Sequence, residues 1–244
     1  IVRFDAQGNT YFWGSEQLYR ITDSDELNAI EGEFTRTQFH HFRDDIVVSN
    51  RGDAFMLSRE TLRVVKAGST KSEEVTTRVV EFHVDNNDNL FYVTKEKYNP
   101  TNDRLNINLI RPYSAAPVQI LNSTDFRFLD LGSNVVIKSV KSGNVYMAMH
   151  FSKSTAILLL TNETLQEEQP VPKYINIPET ETGKLRDIYD FMIDDENNLW
   201  ILCSEGSSAV VMKLINDTWT EVLRDKNDIV FRLYNAELLN IKGQ

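Results

Sequence analysis

Three segments of the chain align without a gap: "FDAQGNTYFWGS" at 4–15, "VDNNDNLFYVTK" at 84–95 and "IDDENNLWILCS" at 193–204. Each opens on an apolar residue followed by an aspartate: Asp5, Asp85 and Asp194. Three polar or small residues lead to an asparagine (Asn9, Asn89, Asn198), and an apolar stretch with an aromatic follows (Tyr11, Phe91, Trp200). A fourth copy, "VSNRGDAFMLSR" at 48–59, keeps the glycine and the aromatic but has Ser49 and Asp53 at the signature places. A fifth, "VKSGNVYMAMH" at 140–150, keeps Gly143, Asn144 and Tyr146 without the leading acid. Such a repeat narrows the fold sharply, because one supersecondary unit cannot bury its apolar face alone and must stack on its neighbours.

The composition of the unit has a local cause. An Asp or Asn at a turn start accepts hydrogen bonds from backbone N–H groups two residues on, and Gly or Asn then takes positive φ. Asp5, Asn9, Asp85, Asn89, Asp194 and Asn198 are therefore read as structural turn residues. Strand-length runs rich in β-branched and aromatic residues flank each turn, "DIVVS" before and "DAFMLS" after, or "RVVEFHVD" before and "NLFYVT" after. Third strands follow as "QLYRIT", "TLRVVKA", "INLIRPY", "TAILLLT" and "AVVMKLI", and fourth strands as "FTRTQF", "APVQIL" and "TWTEVL". The unit is a four-stranded meander.

The asparagine-type positions 9, 53, 89, 144 and 198 are spaced by 44, 36, 55 and 54 residues. Four antiparallel strands in about 40 to 50 residues make a β-propeller blade. The expected fold is thus an all-β propeller of five, or five to six, four-stranded antiparallel blades in one domain spanning 1–244. A β-sandwich or split barrel is the alternative. The tail "NDIVFRLYNAELLNIKG" (227–243) would begin a sixth blade or pair with strands near Ile1 to close the ring. Two stretches interrupt the rhythm: "KEKYNPTNDRLN" lengthens a hairpin after Val93, and "EEQPVPKYINIPETETGKLRD" separates two blades.

The Asp-x-x-x-Asn-Leu-Trp/Phe segments, with turns like "GSEQLYRIT" after them, resemble the propeller repeats of two-component-regulator sensors and, more loosely, NHL-type repeats. The resemblance implies a propeller fold and, by extension, a sensor module of a larger signalling protein.

Several function classes are excluded or disfavoured. A net charge of −10 argues against a surface that tracks nucleic-acid phosphates. No apolar run approaches the roughly 20 residues of a membrane-spanning helix. The single cysteine, Cys203, allows no internal disulfide and sits in the apolar run "LWILC" as a small hydrophobe. The chain starts at Ile1 rather than Met, as a trimmed chain or a mature protein without its leader does. That start and the resemblance lead to an extracellular or periplasmic expectation, with the cytoplasm as the alternative. The sequons at Asn122, Asn162 and Asn216 are about what chance supplies.

No nucleophile elbow, phosphate-cradling glycine loop or P-loop ending occurs in the chain. His83 lies in the inner-strand run "EFHVD", and His41 in "FHHFRDD", just before another. A metal site from His83, Asp85 and His41 lacks any supporting ligand spacing. A carboxylate ring of Asp5, Asp85 and Asp194 would suit Ca²⁺, but recurrence in each repeat favours the turn-making role, so neither cofactor nor metal is expected. Loops that interrupt a rigid scaffold are better placed to bind. The candidate ligand-binding residues are accordingly His41, His83, Tyr98, Arg104, Tyr174, Lys184 and Arg186, with Trp219 as an edge-strand contact. The expected function is non-catalytic recognition of a protein, carbohydrate or small ligand at one face or at the channel mouth. A metal-assisted hydrolase or lyase near His83 and Asp85 is the runner-up.

Overall fold

The computed structural model describes residues 2–14, 17–32, 46–97, 103–114, 116–124, 135–151, 153–184, 186–206 and 208–225. The chain divides into two compact units, Ile1–Thr124 and Asp125–Gln244. The first unit holds three four-stranded sheets. These are β1 (Val2–Phe4), β2 (Thr10–Trp13), β3 (Leu18–Ile21) and β4 (Leu27–Ala29); β5 (Ile46–Val48), β6 (Ala54–Ser58), β7 (Thr61–Val65) and β8 (Ser72–Thr76); and β9 (Val79–Val84), β10 (Leu90–Lys97), β11 (Asp103–Ile110) and β12 (Val118–Ser123). The second unit holds two more: β13 (Val135–Ser139), β14 (Val145–His150), β15 (Thr155–Leu160) and β16 (Lys173–Ile177); then β17 (Ile188–Ile193), β18 (Leu199–Glu205), β19 (Ser208–Ile215) and β20 (Thr218–Asp225). Strands in every sheet lie in chain order and pair antiparallel, so each sheet is a meander. Among the described residues no helix is long and apolar enough to cross a membrane.

The repeated segments are the first hairpins of the five sheets, and their turns share one hydrogen-bond pattern. In the third sheet the N–H of Asp85 donates to the Asn89 carbonyl (3.0 Å) and the N–H of Asp88 to the Asp85 carbonyl (3.0 Å). The same pair of bonds links Asp5, Gly8 and Asn9; Ser49, Gly52 and Asp53; Val140, Gly143 and Asn144; and Asp194, Asn197 and Asn198. The residue just before the signature position carries the positive φ: Gly8 (86°), Gly52 (85°), Asp88 (61°), Gly143 (85°) and Asn197 (63°). This is the three-residue hairpin whose last loop residue is left-handed. Where the turn opens on aspartate, its carboxylate adds three bonds. Asp85 Oδ1 accepts from the N–H groups of Asn87 and Asn89, both at 2.8 Å, and Oδ2 accepts from the Asn89 side chain at 2.8 Å. Asp5 and Asp194 repeat all three.

With the hairpin register set, strand alternation decides which residues meet which sheet. Within each unit, residues in second and fourth place after a turn face the next sheet, and those in first and third place of that next sheet face back. Tyr11, Leu18 and Ile30 therefore pack with Ile46, Ala54, Met56 and Val65. Phe55, Leu57, Leu62 and Val64 meet Phe82, Val84, Leu90 and Tyr92. In the second unit, Tyr146, Ala148 and Ile157 meet Phe191, Leu199, Ile201, Cys203, Val210 and Met212. Each fully buried aliphatic or aromatic side chain in these layers contributes roughly 1.5–3 kcal/mol.

Fourth strands depart most from the sequence reading. The segments at 116–121 and 218–223 fall in β12 and β20, while "FTRTQF" (34–39) lies outside the described residues; the first sheet's fourth strand is the short β4. The stretch read as a spacer between blades contains β16, "KYINI", which pairs with β15 over Thr155–Leu159. The excursion after Val93 is an extended hairpin, in register from Leu90↔Ile110 to Lys97↔Asp103. The tail at 227–243 lies outside the described residues.

Two measurements test the turns. Gly52 has φ +85°, and a Cβ there would come 2.5 Å from Oε1 of Gln7. The exposed Gln7 side chain is able to move, so left-handed strain dominates, and Gly52→Ala is expected to lose about 1–2 kcal/mol in denaturant unfolding. The Asp194 carboxyl responds to acid. Desolvation pushes it up, but hydrogen bonds from the Trp200 indole, the Asn198 side chain and the N–H groups of Asn198 and Glu196 outweigh this and hold it at about 2. Its folded value lies below the unfolded value of about 3.9, so its contribution is full above that pH and is lost as pH falls from about 4 to about 2. Asp194→Asn should flatten the acid-unfolding profile in that window, as followed by circular dichroism.

Candidate functional site

The third sheet breaks the repeat at one place. In the fifth sheet the third and fifth residues after the turn, Ile201 and Cys203, pair with Met212 and Val210 on the next strand, and all four face the fourth sheet. The equivalent pairs are Met147–Leu158 and Met149–Ala156 in the fourth sheet, and Met56–Arg63 and Ser58–Thr61 in the second. In the third sheet they are Tyr92–Asn108 and Thr94–Asn106. The first sheet sets Gln17 opposite Gly14 at the second pair; among the described residues the third sheet alone has an amide at both. Thr94 and Asn106 are only 9% and 5% exposed, so two polar groups occupy places that the fourth and fifth sheets fill with apolar residues. A buried polar group is the informative exception to apolar packing.

These residues form the floor of an open groove of about 300 Å³ on the face the third sheet turns toward the second. Tyr92, Thr94 and Glu96 of β10, Asn106 and Asn108 of β11 and Gln119 of β12 line it; Thr76, Thr77 and Arg78, at the passage from β8 to β9, close one side. Alternation puts Tyr92, Thr94 and Glu96 on one face of β10, and register aligns them with Asn108, Asn106 and Arg104. The floor is organised by its own bonds: Gln119 Nε2 donates to Asn106 Oδ1 at 3.2 Å, and Asn108 Nδ2 to the Asn106 carbonyl at 3.4 Å. The Lys95 N–H donates to the Arg78 carbonyl at 2.9 Å, tying the side wall to β10. Burial raises the Tyr92 hydroxyl above the ordinary tyrosine value, which keeps it a phenol and a donor.

Of the residues singled out from sequence, Arg104 lies beside this groove, opposite Glu96. His41 and Tyr98 lie outside the described residues. His83 is half-buried on β9, opposite Phe91. The neighbouring Asp85 is 3% exposed, with both carboxylate oxygens engaged in its turn. Among the described residues no group of three or more His, Cys, Asp or Glu side chains is arranged to hold a metal ion. In the second unit, Arg186 is buried and donates to the carbonyls of Pro178 (2.7 Å) and Glu179 (2.5 Å) while pairing with Glu205 at 3.3 Å. Glu205 also pairs with Arg224 at 2.5 Å, and chiefly that hydrogen bond holds its carboxyl below the usual glutamate value. Arg186 thus latches the segment after β16 onto the end of β18. Lys184 is exposed in a turn of the same pattern, closed by Thr180. Tyr174 is 48% exposed beside Phe151, with ring centroids 6.1 Å apart. Trp219 donates its indole N–H to the Asn176 carbonyl at 2.9 Å, joining β20 to β16. These four side chains do not gather into one cavity. Cys203 is buried, and burial pushes its thiol up to about 12, far from the thiolate.

The sequence reading missed Thr94, Asn106, Asn108 and Gln119. The signal was present in the repeat: aligning the strands that follow each turn, rather than the turns alone, sets Thr94 against Cys203 and Asn106 against Val210.

No family model matches the sequence, and no curated protein does. Solved structures resemble the fold. A catalytically inactive virginiamycin B lyase from Staphylococcus aureus, crystallised with Quinupristin, superposes with a TM-score of 0.51 at 12% identity, over 90% of this chain and 68% of that one. YCF48 from Cyanidioschyzon merolae gives 0.53 at 12% identity, over 88% and 69%. A eukaryotic initiation factor gives 0.57 at 10% identity, over 92% and 54%. The chain spans about half to two thirds of the length of these proteins. At such identities the likeness is one of architecture alone. With five meanders of four antiparallel strands, the chain is an all-β repeat protein of the β-propeller fold.

Proposed function

We propose that this propeller is a non-catalytic binding module that captures a small polar ligand in the groove on the third sheet. One observation carries the reading: at positions that line the groove, where the fourth and fifth sheets are apolar, the third sheet places Thr94, Asn106 and Asn108. Polar residues set into a core position cost stability unless they serve something else, and breaks in an otherwise consistent pattern concentrate at functional places. Hydroxyl and amide groups donate and accept hydrogen bonds without titrating near neutral pH, which suits recognition. An extracellular or periplasmic setting and membership of a larger sensor belong to the same proposal, supported by the resemblance of the repeats to those of sensor propellers.

The test exchanges function for stability. Replacing Asn106 and Asn108 by the residues at the matching places of the fifth sheet (Asn106→Val, Asn108→Met), together with Thr94→Val, restores an apolar layer. The triple variant is expected to gain about 0.5–2 kcal/mol in denaturant unfolding. It should also lose the thermal shift that the wild type shows with its best compound in a panel of polyols, sugars, amino acids and small organic acids. A variant that is destabilised and keeps that shift would refute the groove as the binding site.

A further inference from the structure

We infer that the ligand of this groove carries a carboxylate, anchored by Arg78; the inference rests on the groove being the binding site. The groove offers hydroxyl and amide donors beside the acceptor oxygens of Glu96, Asn108 and Gln119. Asn106 Oδ1 is occupied by Gln119 Nε2, which turns the Asn106 NH₂ group toward a ligand. The hydroxyls of Thr76, Thr77 and Thr94 and the Tyr92 phenol add donors of their own. A carboxylate, with about four lone-pair sites, accepts from several of these donors at once.

Arg78 supplies the charge. Arg78 lines the groove, and among the described residues no carboxylate pairs with it. Arg78 also sits at φ +59°, a left-handed conformation that glycine adopts without cost. Its backbone bond, from the Lys95 N–H to its carbonyl, would survive a glycine, so the fold itself does not need the side chain. Strain retained at a cavity wall by an open guanidinium points to a use for that guanidinium. A planar fork of this kind binds a carboxylate through two parallel hydrogen bonds. Glu96, which lines the groove from β10, would repel a second negative charge, so a monoanion fits better than a dianion.

Calorimetry with matched pairs tests this: gluconate against sorbitol, and N-acetylglycine against N-acetylglycinamide. The carboxylate of each pair is expected to bind the wild type at least tenfold more tightly than its neutral partner. Arg78→Gln and Arg78→Gly should both abolish that preference, and Arg78→Gly should do so with an equal or higher melting temperature, because it releases the left-handed strain. Equal affinity within the pairs, or a preference that survives in Arg78→Gly, overturns the carboxylate assignment. If the neutral compounds bind and are lost with Asn106→Val but not with Arg78→Gln, the groove stands and the carboxylate falls. If no member of either pair binds the wild type, or binding ignores Asn106→Val, both fall together.

Discussion

One turn governs the structure: a five-residue corner in which a leading side chain closes on the backbone N–H groups two and four residues later. The backbone pair of hydrogen bonds recurs in all five first hairpins, and the carboxylate bonds are added at Asp5, Asp85 and Asp194. Fixing this corner fixes register, and a slip of one residue would send every side chain of the hairpin to the opposite face. In the third sheet that would exchange Phe91, fully buried on one face, with Tyr92, which packs on the second sheet from the other. The inter-sheet layers, and with them the groove, are therefore consequences of a local hydrogen-bond pattern.

Identical geometry does not give identical electrostatics. Asp85 and Asp194 make the same backbone bonds, yet their carboxyls move in opposite directions. At Asp85 burial outweighs the bonds from Asn89 and Asn87 and raises the carboxyl. Asp194 is less enclosed and gains the Trp200 indole N–H, with the Lys213 ammonium 3.7 Å away and 4.6 Å above the Trp200 ring, and its carboxyl is lowered. The aspartate is thus selected for its hydrogen-bonding shape, and its charge is adjusted by the residue two places beyond the asparagine. The same tolerance appears at the left-handed position, where Gly8, Gly52 and Gly143 give way to Asp88. Asp88 accepts a 2.7 Å bond from the Asn50 N–H and lies 3.6 Å from Arg51, so the side chain that burdens its own turn ties it to the preceding one.

What was legible in the sequence follows from this division. The turns could be read because their hydrogen bonds span four residues, so Asp5 through Asn9 contains the whole cause of its own conformation. First, second and third strands were legible for a related reason: they run from those turns with apolar residues on both faces, as "AILLL" does in β15. Fourth strands were harder, since one side is an open edge. "SEEVT" of β8 and "LNA" of β4 carry little apolar signal, and "KYINI" of β16 stands between prolines. The groove was illegible to a search for recognised constellations because none of its residues is unusual by itself. Thr94 is ordinary in a strand; it becomes informative only when register shows that Cys203 and Met149 hold the same place. Arg186 and Trp219 misled in the opposite sense. Loop position and residue type suggested recognition, while in the structure their polar atoms are spent on the carbonyls of Pro178, Glu179 and Asn176.

A repeat fold makes such departures unusually easy to interpret, because every sheet is a control for every other. The fourth and fifth sheets place buried apolar residues, Met149, Ala156, Cys203 and Val210, where the second sheet has Ser58 and Thr61. The third sheet gives up apolar contact there and closes part of the vacancy with amide–amide and amide–carbonyl bonds, which satisfy the polar groups without filling the space. Hydrogen bonds inside a partly wet groove return about 1 kcal/mol each, less than the packing they displace. Selection for stability alone would not retain the amides at two register-matched places, and that cost is what the proposed binding role accounts for.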